Sequence, residues 1–236
     1  MTTERPLDRR GARTAVVWET LRPMLAGAPL DVLDIGGGTG GFAVGVASLG
    51  HRVSVVDPSP DALAALDRRA REVGVSVEAR QGDLATLDAA PGSADLVLCH
   101  GVLEVVDDPG AALATLRAVL RPGGRLSLLV AQRNAAVIAR AMAGHFAEAA
   151  ALLDDPSPTG RTGRRFTAAE ATSLLTAAGF AVDAVHGVRV FADLVPGSLL
   201  DLEPGSTAAL IELEQAVARR PDFLPLATQL HLVAHR

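Results

Sequence analysis

Asp34 stands just before Gly36, Gly37 and Gly38 in VLDIGGGTGG, Asp57 closes HRVSVVD, and Gly82-Asp83 closes VSVEARQGD. Glycines that follow an apolar strand and open a helix make a tight turn through which backbone amides reach a ligand. A carboxylate at the end of the next strand can accept both hydroxyls of an adenosine ribose, and one at the strand after that can receive the adenine amino group. Gly36, Gly38 and Gly41 also fit G-x-G-x-x-G, so the glycines alone permit a dinucleotide site, an S-adenosylmethionine site or a structural turn. Asp34 discriminates between the ligands: it would repel a pyrophosphate and attract a sulfonium that carries an ammonium group. The bland alternatives are that Asp34 ties down the loop and that Asp57 forms an Asx turn or cap before Pro58 and Ser59.

Strand tips can converge in this way on a parallel sheet, and the apolar periodicity predicts one. TAVVWETLRPMLA reads as a helix over 14–26, and LDVLDI as a strand leading into the glycines and the helix FAVGVASLG. HRVSVVD, VSVEARQGD, ADLVLCH and RLSLLVA read as further strands, separated by DALAALDRRAREVG, capped by Gly74, and by DPGAALATLRAVLRPGG. The latter helix has Asp108 as N-cap and Pro109 at its first position, and Gly123 and Gly124 are expected to end it. Strands alternating with helices imply a doubly wound, Rossmann-like α/β fold. Residues 135–153 read as helical, 154–165 as a Pro/Gly/Arg-rich loop, and TAAEATSLLTAAG as a helix opened by Thr167 and Glu170. FAVDAVHGVRVFADLV and LPLATQLHLVAHR read as strands on either side of a helix TAALIELEQAVAR, and with no helical crossover after it the last strand is expected to be antiparallel.

Length and composition bound the remaining possibilities. The chain of 236 residues, 49% hydrophobic, is expected to form one domain over 1–236. The N-terminus lacks a signal-like apolar stretch and no run is long and apolar enough for a membrane span, so a cytoplasmic protein with no membrane partner, monomer or homodimer, is expected. A lone cysteine, Cys99, excludes thiol-pair redox chemistry and is read as core. The net charge of −5 confines any nucleic-acid contact to a local patch. The absence of Lys and Tyr removes lysine Schiff bases, a phosphate-loop lysine and tyrosine bases, and opposes the NAD-dependent oxidoreductase that the glycines alone permit. No metal site is expected.

VLDIGGGTG, Asp57, Gly82-Asp83 and LRPGG together resemble the class I S-adenosylmethionine-dependent methyltransferases. The run LCHGVLEVVDDPGAALATLRAVLRPGGRLSLLV, HGVRVF at 186–191, LIELEQAVARRP and the closing LHLVAHR resemble the bacterial tRNA 5-carboxymethoxyuridine methyltransferase family over nearly the whole chain. That resemblance implies a seven-stranded, mostly parallel sheet of order 3-2-1-4-5-7-6 with strand 7 antiparallel, helices on both faces, and an acceptor-side insertion at about 135–166. It implies that Arg13 meets the methionine carboxylate of the cofactor, that Gly36 and Gly37 form the loop, that Asp57 is the ribose acid, that Gln81 and Gly82 form the adenine-side turn, and that His100 meets the cofactor. Without it, His100 could equally be a core histidine and Arg13 a solvated charge.

Methyl transfer from a sulfonium is an in-line displacement that depends mainly on alignment in a desolvated pocket. A carboxylate acceptor is already anionic at neutral pH and needs a cation to hold it rather than a base. Arg133, Arg161, Arg164, Arg165 and Arg189 are the candidate cations: Arg189, Arg133 and Arg165 for orienting the acceptor, and the 161–165 loop for an RNA backbone. Phe146, Phe166, Phe191 and Phe223 could stack on bases or serve as packing anchors. The expected activity is methylation of the carboxyl of 5-carboxymethoxyuridine at a tRNA wobble position. The alternatives are a small-molecule O-methyltransferase on the same cofactor site and a non-catalytic cofactor-binding partner subunit.

Overall fold

The computed structural model describes residues 9–154, 163–200 and 204–236. Seven strands form one mixed sheet: β1 (Asp31–Ile35), β2 (Arg52–Asp57), β3 (Glu78–Gln81), β4 (Ala94–His100), β5 (Leu120–Ala131), β6 (Ala181–Val188) and β7 (Gln229–His235), in the order β3-β2-β1-β4-β5-β7-β6. β3, β2, β1, β4 and β5 pair in parallel. β7 runs antiparallel to β5: Gln132 N–H donates to the Thr228 carbonyl near one end of the pair and Arg236 N–H to the Gly124 carbonyl near the other, each at 3.0 Å.

The apolar runs become central strands because they are covered on both faces. Leu96, Val97, Leu98 and Cys99 of β4 are each no more than 1% exposed, a continuous burial that an alternating half-solvated strand would not show. The helices follow from their caps. In α3 (Pro60–Val73) the Ser59 hydroxyl accepts from Ala62 N–H at 3.2 Å, and Gly74 closes the helix at φ 75°. In α4 (Pro109–Val119) the Asp108 carboxylate accepts from Gly110 and Ala111 N–H at 2.8 and 3.0 Å.

Several expected boundaries move. The first helix, α1, is Arg9–Leu21 rather than 14–26, because Pro23 cannot continue it. The segment 135–153 is two helices, α5 (Arg133–Met142) and α6 (Phe146–Asp154), separated by Gly144 at φ 80°. LRPGG does not end α4 but belongs to β5, as an irregularity where pairing steps from Ala94↔Leu120 to Leu96↔Arg125. Its Arg121 ties the starts of two strands together, 2.9 Å from Asp31 and 2.7 Å from Asp95. β6 stops at Val188, before the RVFADLV stretch, and is followed by α8 (Gly197–Leu200) and α9 (Ser206–Val217). α2 (Ala43–Ser48) and α7 (Ala168–Ala177) lie where the periodicity puts them.

The chain divides into two compact units. The first comprises the described residues of Met1–Pro23, Ala131–Ala168 and Val185–His231, and the second those of Met24–Val130, Ala169–Ala184 and Leu232–Arg236. In the first, Ala12 of α1 packs with Ala192, Leu210 and Ile211, the last two from α9. The second holds the strands β1 to β4 and the glycine loop. Among the described residues no helix is long and apolar enough to cross a membrane, and no cluster of His, Cys, Asp and Glu could hold a metal ion.

Candidate active site

Parallel pairing sets the candidate residues side by side at the strand ends of the second unit. Asp34 pairs with Val55, Asp57 with Gln81, and Ile35 with Cys99, the residue before His100. The chain leaves β1 through Gly36, whose N–H donates to the Val56 carbonyl at 2.8 Å with φ at 68°. Gly37 crosses directly over Asp34: a Cβ there would lie 2.7 Å from Asp34 Oδ2 and 2.9 Å from Val55 Cγ1, so no larger residue fits.

Asp34 is 3% exposed beneath this crossing. Burial, and secondarily the charge of Asp57, raises its pKa to about 7. Asp57, 7% exposed, accepts from Gly38 N–H at 2.8 Å through Oδ2 and from Ser59 N–H at 2.9 Å through Oδ1. It therefore forms the Asx turn of the bland reading while also facing a cavity. The helix cap itself is made by Ser59.

On the neighbouring strand, Gly82 N–H donates to the Asp57 carbonyl at 3.2 Å and Gln81 Nε2 to the Pro58 carbonyl at 3.2 Å. Asp83 Oδ1 accepts from Thr86 Oγ1 at 2.7 Å and Thr86 N–H at 2.8 Å, and these bonds hold its carboxyl below the usual carboxylate range. His100 shares a hydrogen bond with Ser127 Oγ at 2.8 Å and meets the Phe42 ring edge-on at 4.8 Å. Burial lowers its pKa to about 4, so the imidazole is neutral at pH 7. Cys99 is fully buried, and its thiol is pushed up by that burial.

Gly36, Asp57, Asp83 and His100 line one cavity of about 760 Å³. Asp34, Gly37, Gly38, Gln81 and Gly82 adjoin those residues without lining it. Its other wall is apolar, built from Leu84, Val102, Val105, Val106 and Ala112. Sequence reasoning assigned none of these five to the site. The available signal was VLEVVDDP, which places three valines after a strand tip with too few polar partners for a solvated loop. Ser127, buried at 0%, was missed too, although it is the lone hydroxyl within the apolar run of β5. The pocket thus offers a carboxylate at the tip of β2, an acidic turn, a glycine cradle and an apolar slot, a combination suited to an adenosine bearing a cationic sulfur.

The described candidate arginines, Arg13, Arg133, Arg164, Arg165 and Arg189, belong to the first unit. Arg13 is 52% exposed and lies 3.0 Å from Asp193. Arg189 adopts φ 62° and forms an ion pair with the same Asp193. Arg133 opens α5, with its N–H donating to the Phe166 carbonyl at 3.0 Å, and Arg164 and Arg165 are partly buried. Arg161 lies outside the described residues. Of the four candidate aromatics, Phe166 is core at 3% exposed, Phe191 and Phe223 pack on each other at 6.1 Å, and Phe146 is 71% exposed.

The family model described as "Methyltransferase domain" matches residues 33–128, the stretch that holds the glycine loop and the cavity. The chain is 33% identical to the tRNA 5-carboxymethoxyuridine methyltransferase of Escherichia coli O157:H7, over 95% of this chain and 88% of the relative. It is 38% identical to the ubiquinone biosynthesis O-methyltransferase of Xanthomonas euvesicatoria pv. vesicatoria, over 51% of this chain and 50% of that one. Among solved structures, an S-adenosylmethionine-dependent methyltransferase from Mesorhizobium loti superposes with a TM-score of 0.65 at 21% identity, covering 97% of this chain and all of that one. The magnesium protoporphyrin IX methyltransferase from Synechocystis, solved with bound S-adenosylhomocysteine, superposes with a TM-score of 0.63 at 18% identity, covering 97% of this chain and 83% of that one.

Proposed function

The chain belongs to the class I S-adenosylmethionine-dependent methyltransferases, in the family that includes the tRNA 5-carboxymethoxyuridine methyltransferases, and from that membership we propose that it methylates the carboxyl of 5-carboxymethoxyuridine at a tRNA wobble position. The supporting observation is coverage. Similarity to the tRNA enzyme extends over 95% of the chain, whereas similarity to the ubiquinone enzyme stops at about half, which a shared cofactor-binding portion alone would produce. We take 1–236 as one catalytic domain acting in the cytoplasm, where tRNA is used.

S-adenosylmethionine supplies a methyl group activated by its positive sulfur. The residues then have separate tasks. Asp57 accepts from the ribose hydroxyls, and the Gln81–Asp83 turn takes the adenine edge. Gly36, Gly37 and Gly38 bring the backbone close. A carboxylate acceptor fits the cavity's chemistry, because His100, neutral and with its pKa held near 4, is a poor proton acceptor and none is required. Arg189, Arg133 and Arg165 are the cations proposed to orient the acceptor. A tRNA digest from a strain lacking this protein is expected to show the free acid in place of the methyl ester. An unchanged nucleoside profile would favour the small-molecule O-methyltransferase instead.

Asp34 gives the site a pH dependence. Its raised pKa means that its contribution to the unliganded fold is full below the ordinary carboxylate range and is lost as pH rises through about 7. Asp34→Asn is therefore expected to melt higher than wild type above pH 7, with the difference vanishing toward about pH 4. A cation in the cavity favours the ionised carboxylate, so S-adenosylhomocysteine affinity should fall by up to about tenfold per unit as pH drops below 7 in wild type and stay flat in the variant. Calorimetry across this range checks both; a flat wild-type profile would remove Asp34 from the site.

A further inference from the structure

The order of the strands gives the cavity of the second unit a direction. Asp83 follows the tip of β3, Asp57 ends β2, Gly36 leaves β1 and His100 ends β4, and all four line the cavity from neighbouring positions of the sheet. Adjacent strands lie about 4.8 Å apart. With the adenine at β3 and the ribose at β2, the sulfur-bearing arm on the far side of the ribose runs past β1 toward β4, where His100 stands.

Two groups of the same unit hold the His100 ring there. Leu98 pairs with Ser127 and His100 with Leu129, so Ser127 and His100 share one face of the sheet on a diagonal. The Ser127 hydroxyl, buried in the apolar run of β5, lies 2.8 Å from His100 Nε2. Phe42, between the glycine loop and α2, meets the imidazole edge-on, with ring centroids 4.8 Å apart and planes at 82°.

A half-turn of an imidazole about its Cβ–Cγ bond puts a carbon where each nitrogen stood, so a hydrogen bond at Nε2 decides which way the whole ring faces. The charge of the ring matters as well. An imidazolium beside a sulfonium would repel it, and burial keeps this ring neutral, with its pKa lowered to about 4. A hydroxyl inside an apolar strand costs free energy unless it is hydrogen-bonded, and the bond to His100 gives Ser127 a use at this position.

We propose that Ser127 and Phe42 are positioning residues that lock His100 in one orientation against the sulfur-bearing arm of the bound nucleoside. The ligand half rests on the placement of the ribose at Asp57; the locking of the ring does not.

Titration calorimetry with S-adenosylhomocysteine and with adenosine, which lacks that arm, tests the ligand half. Ser127→Ala is expected to weaken S-adenosylhomocysteine about tenfold and to leave adenosine within about twofold of wild type. Phe42→Leu, which loses the ring edge, should show the same selectivity with a loss of about threefold. Ser127→Thr keeps the hydroxyl and should recover most of the affinity, and Ser127→Ala should add no loss in a His100→Asn background. In the free protein, nitrogen NMR of the histidine rings is expected to show one tautomer for His100 in wild type and a mixture of both in Ser127→Ala. Equal weakening of the two ligands, losses that add to that of the His100 variant, or an unchanged ring spectrum in Ser127→Ala would overturn the proposal. Adenosine bound equally well by wild type and Asp57→Ala would instead remove the ribose placement; the ligand half then falls with it, and the ring spectrum alone decides whether Ser127 locks His100.

Discussion

Asp57→Ala is expected to weaken S-adenosylhomocysteine binding by at least about a hundredfold, the largest loss for any single residue of the cavity. Two effects combine. The ribose hydroxyls lose a charged acceptor, each such bond being worth about 1.5–3 kcal/mol. The Gly38 and Ser59 amides, at 2.8 and 2.9 Å, lose the acceptor that shapes the loop before any ligand arrives. Asp57→Asn separates the two, since the amide oxygen can still accept from one of those N–H groups while the charge is gone, and an intermediate loss is expected. Titration calorimetry gives the answer, and wild-type affinity in the alanine variant would show that the ribose lies elsewhere. Removing Asp57 also removes the charge that helps to raise the Asp34 pKa, so the pH dependence should shift to lower pH in the same experiment.

Glu214→Ala is expected to destabilise the protein by about 3–5 kcal/mol, lowering the melting temperature by about 6–20 °C at this chain length. The Glu214 side chain is wholly buried and accepts three consecutive amides, two of them belonging to residues 1% and 7% exposed. Truncation leaves those amides without an acceptor, and burying an unpaired donor costs about 1–3 kcal/mol each. The non-glycine φ of 62° at Arg189 also loses the contacts that sustain it, which adds to the loss of stability. Glu214→Gln keeps one accepting oxygen and should fall between. Thermal melts decide this, and a variant as stable as wild type would mean that the 190–192 turn is held by other contacts.

The chemistry-bearing part of the second unit was readable because it is local. The Asp108 cap, the αL glycine at 74, and the loop after β1 depend on residues within a few positions, and the structure realises each of them. The errors arose where a distant partner overrides local preference. LRPGG has the composition of a helix end, yet Arg121 is drawn to Asp31 and Asp95, 90 and 26 positions away, and the segment becomes the start of a strand. Gly144 marked the break between α5 and α6, but an isolated glycine within apolar helical periodicity does not by itself end a helix.

The amino-acid sequence by itself determined the strand and helix alternation, the glycine turn, the cofactor class and the identities of Asp34, Asp57 and Asp83, because period, turn chemistry and charge type are properties of neighbouring residues; the sheet order came only with the family resemblance. Tertiary structure alone decided the state of those groups. Burial sets the pKa of Asp34 near 7 and that of His100 near 4, and the valines after β4 become a cavity wall. Glu214 meets amides more than twenty positions away, and Arg13 and Arg189 meet at Asp193. Desolvation and long-range pairing depend on what the folded chain places around a group, and no pattern of adjacent residues carries that information.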